Sequence, residues 1–203
     1  MTTRLLALPL IVGAFLLVAA CDDGDETTDA TPTSSVPTAT SVATTPTAPG
    51  GTANPTAAFE GTRGPVEQTG AVAPPMPLLM KVRTGEHEGY DRITFEFEGE
   101  RPGYRVEYVQ PPITEDPSDL PVEVAGVAFL RIRLESASAH DEAGAQTVDV
   151  REIMAGLPSL LGAEQIGDFE GVVNWVLGLS EEVDFRVGVL DSPNRIYIDV
   201  LHP

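Results

Sequence analysis

The chain has 203 residues, with 31 acidic against 12 basic side chains, and its formal net charge at pH 7 is −19. This acidic excess argues against nucleic acid and anionic lipid headgroups as partners, because a polyanion requires a basic face on the protein. Cys21 is the single cysteine, so the chain cannot form an internal disulfide or a multi-cysteine metal site.

The first 20 residues have the layout of a secretory signal. Arg4 is followed by an uncharged run over residues 5–20, which is short for a membrane span of about 20 apolar residues. The run ends in Val18-Ala19-Ala20-Cys21, which resembles the lipobox of bacterial lipoproteins. In that family the peptide is cut before the cysteine, whose thiol then carries a lipid with acyl chains such as palmitate. The resemblance implies a signal peptide over 1–20 and a lipidated Cys21; the alternatives are an ordinary signal peptide with a chance cysteine, or an uncleaved anchor.

Residues 21–75 are rich in Thr, Pro, Ser and Ala, and Phe59 is their only aromatic residue. A segment of this composition cannot bury enough apolar surface to offset the entropy cost of ordering it. We therefore expect a disordered tether that holds the following domain off the extracytoplasmic face of the cell membrane, to which the lipid anchors it.

Residues 76–203 are enough for one domain with a hydrophobic core. Apolar and polar residues alternate with a period of two, as in half-buried β-strands, in six segments: 93–98, 104–108, 128–135, 173–177, 185–189 and 196–200. Turn residues separate them, which predicts a mainly β fold, an antiparallel sandwich or a barrel. Residues 150–161 allow at most one short helix, which Gly156 and Pro158 keep brief.

Four phrases of this part, taken together, resemble the AMIN-like domain family, over about residues 78–202. They are Tyr90-Asp91-Arg92-Ile93 with Phe95-Glu96-Phe97, Pro102-Gly103-Tyr104-Arg105-Val106, Gly167-Asp168-Phe169-Glu170-Gly171 and Pro193-Asn194-Arg195-Ile196-Tyr197-Ile198-Asp199-Val200. The family is related to the AMIN domains of cell-wall amidases and secretins. The resemblance implies an antiparallel β-sandwich of two facing sheets, and a non-catalytic module that binds or localises at peptidoglycan.

The residues offer no recognisable catalytic or metal-binding constellation. The histidines, His87, His140 and His202, show no HExxH or paired spacing suited to zinc, and no GxSxG or SxxK motif is present. Pairs of carboxylates are common, but in so acidic a chain they are most simply a solvated face. We therefore expect no enzyme activity, no cofactor and no metal.

Four residues are candidates for ligand binding: Arg92, Arg195, Tyr90 and Trp175. Either arginine can hold a peptide-stem carboxylate through two hydrogen bonds, or it can pair with Asp91 or Asp199 and fix a strand end. Trp175 can stack on a sugar ring, although core packing is the more common role of a lone tryptophan on an alternating strand. Tyr90 is either an exposed amphipathic contact or part of the packing on a sheet surface.

The sequence thus predicts a monomeric domain, tethered to the membrane by its lipid, that binds or localises at peptidoglycan. The alternative is an accessory or structural subunit of an envelope protein complex. In either case the partner is peptidoglycan or an envelope protein, and not a nucleic acid.

Overall fold

The computed structural model describes residues 59–70 and 74–203. The predicted signal peptide, Cys21 and the predicted tether up to residue 58, together with residues 71–73, lie outside the described residues. Within the described residues every regular element is a β-strand. This part of the chain contains no helix that is long and apolar enough to cross a membrane.

Ten strands make up the described part of the chain. In order they are β1 (Val66–Gln68), β2 (Leu78–His87), β3 (Tyr90–Glu98), β4 (Gly103–Val109), β5 (Ala128–Glu135), β6 (Glu152–Met154), β7 (Leu160–Phe169), β8 (Val172–Leu179), β9 (Phe185–Leu190) and β10 (Asn194–Leu201). They form a four-stranded sheet in the order β2-β3-β10-β9 and a six-stranded sheet in the order β1-β4-β5-β8-β7-β6. All neighbouring strands pair antiparallel, which confirms the predicted fold class.

The core lies between the two sheets. On β3 every second residue is buried, which places Ile93, Phe95 and Phe97 on the inner face opposite the six-stranded sheet. Trp175 on β8 is fully buried and meets Phe95 edge to face, with ring centroids 5.7 Å apart. Burial of each such aromatic side chain stabilises the fold by about 1.5–3 kcal/mol, so this contact is a main link between the sheets.

Residues 59–70, which the sequence analysis assigned to the tether, belong to the fold. β1 pairs with β4 at one edge of the six-stranded sheet, and Thr62 exchanges two backbone hydrogen bonds with Phe185 on β9, at 2.8 and 2.9 Å. The segment therefore contacts edge strands of both sheets. The predicted domain start at residue 76 is corrected, because a three-residue strand gives no periodic signal and its order comes from edges that composition does not reveal.

The short helix considered for residues 150–161 is wrong. The segment forms β6 and a tight connection to β7, in which the backbone N–H groups of Ala155 and Gly156 both donate to the carbonyl of Leu161. Gly156 has φ of +59°, a left-handed conformation that glycine adopts readily and that interrupts a right-handed helix.

Candidate functional site

The outer face of the four-stranded sheet brings three charged side chains into one row. The register of the sheet pairs Arg92 on β3 with Asp199 on β10, and Asp199 with Arg186 on β9. Each residue lies at an alternate position whose sequence neighbours face the core, so its own side chain points outward. An Arg-Asp-Arg row across three neighbouring strands is the result.

Asp199 is the centre of this row. Its Oδ1 accepts a hydrogen bond of 2.6 Å from Nε of Arg92, and its Oδ2 accepts one of 2.9 Å from Nη2 of Arg92 and one of 2.8 Å from Nε of Arg186. The Asp199 side chain has no exposed surface, whereas those of Arg92 and Arg186 are 23% and 38% exposed. The hydrogen bond to Asp199 raises the pKa of Arg92 above its ordinary value, against the opposing effect of burial.

Aromatic rings alternate with the two guanidinium groups. The guanidinium carbon of Arg92 lies 3.9 Å from the ring centroid of Tyr197 and 5.5 Å from that of Tyr90. The guanidinium carbon of Arg186 lies 5.1 Å from the ring centroid of Tyr90 and 4.7 Å from that of Phe59. Such distances allow cation–π attraction. We call these six residues, Arg92, Arg186, Asp199, Tyr90, Tyr197 and Phe59, the arginine–aromatic cluster.

Gly188 is what allows Tyr197 to lie flat in the cluster. The two residues are paired across β9 and β10, and a Cβ atom built on Gly188 would lie 2.2 Å from the hydroxyl oxygen of Tyr197. The absence of a side chain at Gly188 therefore leaves room for the tyrosine ring, on which the guanidinium of Arg92 stacks.

The family model of the AMIN-like domain matches residues 77–202. The chain belongs to the AMIN-like domain family. AMIN-like domains are extracytoplasmic cell-envelope modules and generally non-catalytic binding modules, and membership suggests association with peptidoglycan. No curated protein matches the chain. The matched range contains five of the six cluster residues, whereas Phe59 and β1 lie upstream of it.

The four residues predicted to bind a ligand do not lie together in the AMIN-like domain. Tyr90 and Arg92 are in the cluster, and the pairing of Arg92 with Asp199 that the sequence analysis considered is confirmed. Arg195 lies on the same face but four residues from Asp199, about 13 Å along β10, with Tyr197 between them. It bonds instead to the carbonyl of Pro193 at 3.3 Å. Trp175 is wrong as a sugar-stacking candidate, because it is fully buried in the core.

Four cluster residues were not among the predicted site residues: Asp199, which was considered only as a partner of an arginine, Tyr197, Arg186 and Phe59. Arg186 occupies the polar position of the alternating segment Phe185-Arg186-Val187, and only the pairing of β9 with β10 shows that it faces Asp199. Phe59 stands out in the sequence only as the one aromatic residue of the predicted tether. The signals that point to Arg186 and Phe59 are the turn at Asp191–Asn194, which sets a hairpin register, and the isolation of Phe59 in a Thr- and Pro-rich segment.

Two further grooves of the described domain are lined in part by carboxylates. One, of about 310 Å³, lies between β6, β7 and residues 123–125 and includes Glu123, Glu152 and Glu164. Burial raises the pKa of Glu164, and the nearby charge of Glu152 adds to the effect. Within the described residues, no group of three or more His, Cys, Asp or Glu side chains is arranged to hold a metal ion.

The second groove, of about 740 Å³, is lined by Met76, Leu78, His140 and Asp141 among others. Nδ1 of His140 is hydrogen-bonded to Oδ2 of Asp168 at 2.6 Å. The hydroxyl of the nearby Ser138 donates to the backbone carbonyl of His140 at 2.7 Å, so its proton is engaged by the main chain. This arrangement is a loop-fixing hydrogen-bond network and not an aligned nucleophile and base.

Proposed function

We propose that this AMIN-like chain is a non-catalytic module, tethered to the membrane by a lipid on Cys21, that binds peptidoglycan through the outer face of its four-stranded sheet. The single observation that carries the proposal is the arginine–aromatic cluster. It places two guanidinium groups side by side on the surface of a chain whose formal net charge is −19. Together with membership of a family of cell-envelope modules, this arrangement of side chains supports the proposal that the face is a binding surface.

The proposed contact residues are Arg92, Arg186, Tyr90 and Tyr197, with Arg195 further along the same face. Asp199 positions both guanidinium groups, since it bonds to each of them and has no exposed surface of its own. Because the cluster is built on three strands of one sheet, its geometry is set by backbone register and not by a loop. A site on a rigid sheet loses little conformational entropy when a ligand binds.

We further propose that residues 22–58 act as the tether. If residues 22–58 form a flexible chain, they span roughly 35 Å on average, and this would place the domain within the wall layer above the membrane. Lipidation is tested separately by mass spectrometry of the membrane-extracted protein. The wild-type protein should show the added mass of the lipid, and the Cys21→Ser variant should not. An unmodified Cys21 in the mature protein would contradict the proposed lipid anchor.

Wall binding is tested by co-sedimentation of the chain from Asp22 to Pro203, which carries no lipid, with purified peptidoglycan sacculi. Saturable sedimentation of wild type is expected, and the double variant Arg92→Gln, Arg186→Gln should lose it. The matched control is Arg133→Gln, on the outer face of the opposite sheet, where the side chain is 43% exposed and pairs with Glu135. If wild type does not sediment with sacculi, the proposed function is wrong.

The second candidate is an accessory subunit of an envelope protein complex, and one observation favours it. Met154, on the edge strand β6 of the six-stranded sheet, is 73% exposed. An exposed apolar residue on a sheet edge suits a protein partner that adds a strand or covers the edge. A chain that fails to bind sacculi but co-purifies stoichiometrically with an envelope protein, and loses that partner on Met154→Lys, would support this alternative.

A further inference from the structure

We infer that the arginine–aromatic cluster binds a peptide carboxylate, so that the module recognises the peptide stems of peptidoglycan and not its sugar chains. This inference rests on the proposed function, because it names the part of peptidoglycan that the outer face contacts. Three observations support it: the arginines have N–H donors that do not bond to Asp199, the row of Arg92, Asp199 and Arg186 has a net positive charge, and the guanidinium groups cover the faces of the aromatic rings.

The two guanidinium groups retain donors for a ligand. Each arginine has five N–H donors. Asp199 takes Nε and Nη2 of Arg92 and Nε of Arg186. Among the described residues, Nη1 of Arg92 and both terminal nitrogens of Arg186 donate no hydrogen bond. These nitrogens are planar donors of the kind that bind carboxylates through paired hydrogen bonds.

The charge of the row favours an anion. Two guanidinium groups share the single carboxylate of Asp199, which leaves one net positive charge. Because Asp199 is fully buried and holds both arginines, it fixes their orientation before a ligand arrives, and this lowers the entropy cost of binding. One further carboxylate would complete a row of two cations and two anions.

The aromatic rings of the cluster are already covered by protein groups, which argues against sugar stacking. The guanidinium group of Arg92 lies over the ring of Tyr197, and that of Arg186 lies over the ring of Phe59. Tyr90 lies near both guanidinium groups and is stacked on His87, with ring centroids 4.9 Å apart and an interplanar angle of 11°. A sugar ring would need one of these faces, whereas a carboxylate needs only the outer edges of the guanidinium groups.

The two carboxylate-lined grooves described above do not compete for an anion. The smaller groove is lined by Glu123, Glu152 and Glu164, and the larger one includes Asp141 and Glu142. Carboxylates in these walls repel a carboxylate ligand. Neither of these grooves therefore suits a carboxylate ligand as the arginine–aromatic cluster does.

The test compares native sacculi with sacculi whose carboxylates have been converted to amides by a water-soluble carbodiimide and ammonia. Wild type should bind the amidated sacculi at least about tenfold more weakly, as expected for the loss of a charge-assisted pair. Amidation removes negative charge from the wall, so it would strengthen any non-specific attraction of this acidic chain. A fall in binding therefore cannot arise from bulk charge.

Variants locate the effect. Arg186→Gln should weaken binding to native sacculi about as much as amidation does, and should show no further loss on amidated sacculi. Arg186→Lys keeps the charge but not the planar fork, so it should bind between wild type and Arg186→Gln. Arg133→Gln should behave as wild type on both substrates. Folding of each variant is checked by the emission of the buried Trp175.

The outcomes separate the two proposals. If wild type binds native and amidated sacculi equally, peptidoglycan binding stands and the carboxylate inference is overturned. The inference is also overturned if amidation weakens wild type and Arg186→Gln to the same extent, because the carboxylate would then be bound elsewhere on the domain. If neither kind of sacculus is bound, the proposed function fails and the inference fails with it.

Discussion

Asp199→Asn is the substitution that most directly probes how the cluster is held together. The change keeps the shape of the side chain but removes the charge that both arginines share. The hydrogen bonds lost or weakened are those of 2.6 and 2.9 Å from Arg92 and 2.8 Å from Arg186. The amide also presents an N–H₂ group to donors that it cannot pair with.

The cost follows from burial. Removing one partner of a buried ion pair typically costs about 3–5 kcal/mol, because the remaining charge is left uncompensated. Here Asp199 is fully buried, but the arginines are 23% and 38% exposed and keep some access to water. We therefore expect the low end, about 3 kcal/mol, which corresponds to a fall in Tm of roughly 10 °C for a domain of this size.

Urea unfolding followed by tryptophan fluorescence measures this cost. The chain has one tryptophan, and Trp175 is fully buried, so its emission shifts when the core opens. Asp191→Asn is the matched control: Asp191 pairs with Arg101 at 3.0 Å, but its side chain is 80% exposed. We expect the control to change the free energy of unfolding by less than about 0.5 kcal/mol. If the two variants cost the same, the reasoning that burial makes the Asp199 row stabilising is refuted.

Three further predictions concern other parts of the domain. Hydrogen bonds from Arg105 and Arg131 lower the pKa of Glu107 from 4.5 to about 2, so its charge stabilises the fold above pH 4.5 and this contribution is lost as pH falls towards 2. Glu107→Gln should cost about 1 kcal/mol at pH 7 and progressively less below pH 4.5 in urea titrations; a cost independent of pH would contradict this. Burial raises the pKa of Glu164, so its ionised form is unfavourable in the fold. Glu164→Gln should therefore raise the urea midpoint at pH 7, with the gain shrinking as pH falls and the wild-type carboxyl becomes protonated; a lower midpoint would count against it. Deleting residues 22–70 removes β1 and the backbone bonds to Phe185 and should cost at least about 2 kcal/mol by the same assay, at 0.5–1.5 kcal/mol for each hydrogen bond; an unchanged midpoint would show that the segment adds nothing.

The sequence predicted those strands in which apolar and polar residues alternate along the chain. The six alternating segments correspond to β3, β4, β5, β8, β9 and β10. β2 and β7 were not predicted because both contain irregular register: the pairing shifts between Leu79 and Lys81 in β2, and at two places in β7. A bulge moves the following side chains to the other face and removes the period-two signal. β1 and β6 are three residues long and carry no period at all.

The site was only partly predictable for a different reason. Arg92 and Tyr90 stand out because they begin an alternating strand, and Asp199 was considered as a partner of Arg92. The cluster itself, however, depends on β10 lying between β3 and β9, and the pairing of β10 with β3 joins residues more than 90 positions apart. Neither local propensity nor composition contains the register of β3 against β10, so the sequence could not show that Arg186, which the hairpin places beside Asp199, also lies next to Arg92. Phe59 was out of reach because it lies in a segment whose composition indicates disorder.

The central claim is that the outer face of the four-stranded sheet is the peptidoglycan-binding surface, and it is tested most directly by nuclear magnetic resonance. The ¹⁵N-labelled chain from Asp22 to Pro203 would be titrated with soluble muropeptides released from sacculi, with the side-chain Nε–H signals of Arg92, Arg186 and Arg133 observed together with the backbone. The account predicts saturable shifts at Arg92 and Arg186 and in the neighbouring strands, and none at Arg133. Shifts confined to the groove of Glu123, Glu152 and Glu164, or no shifts at saturating muropeptide, would contradict it.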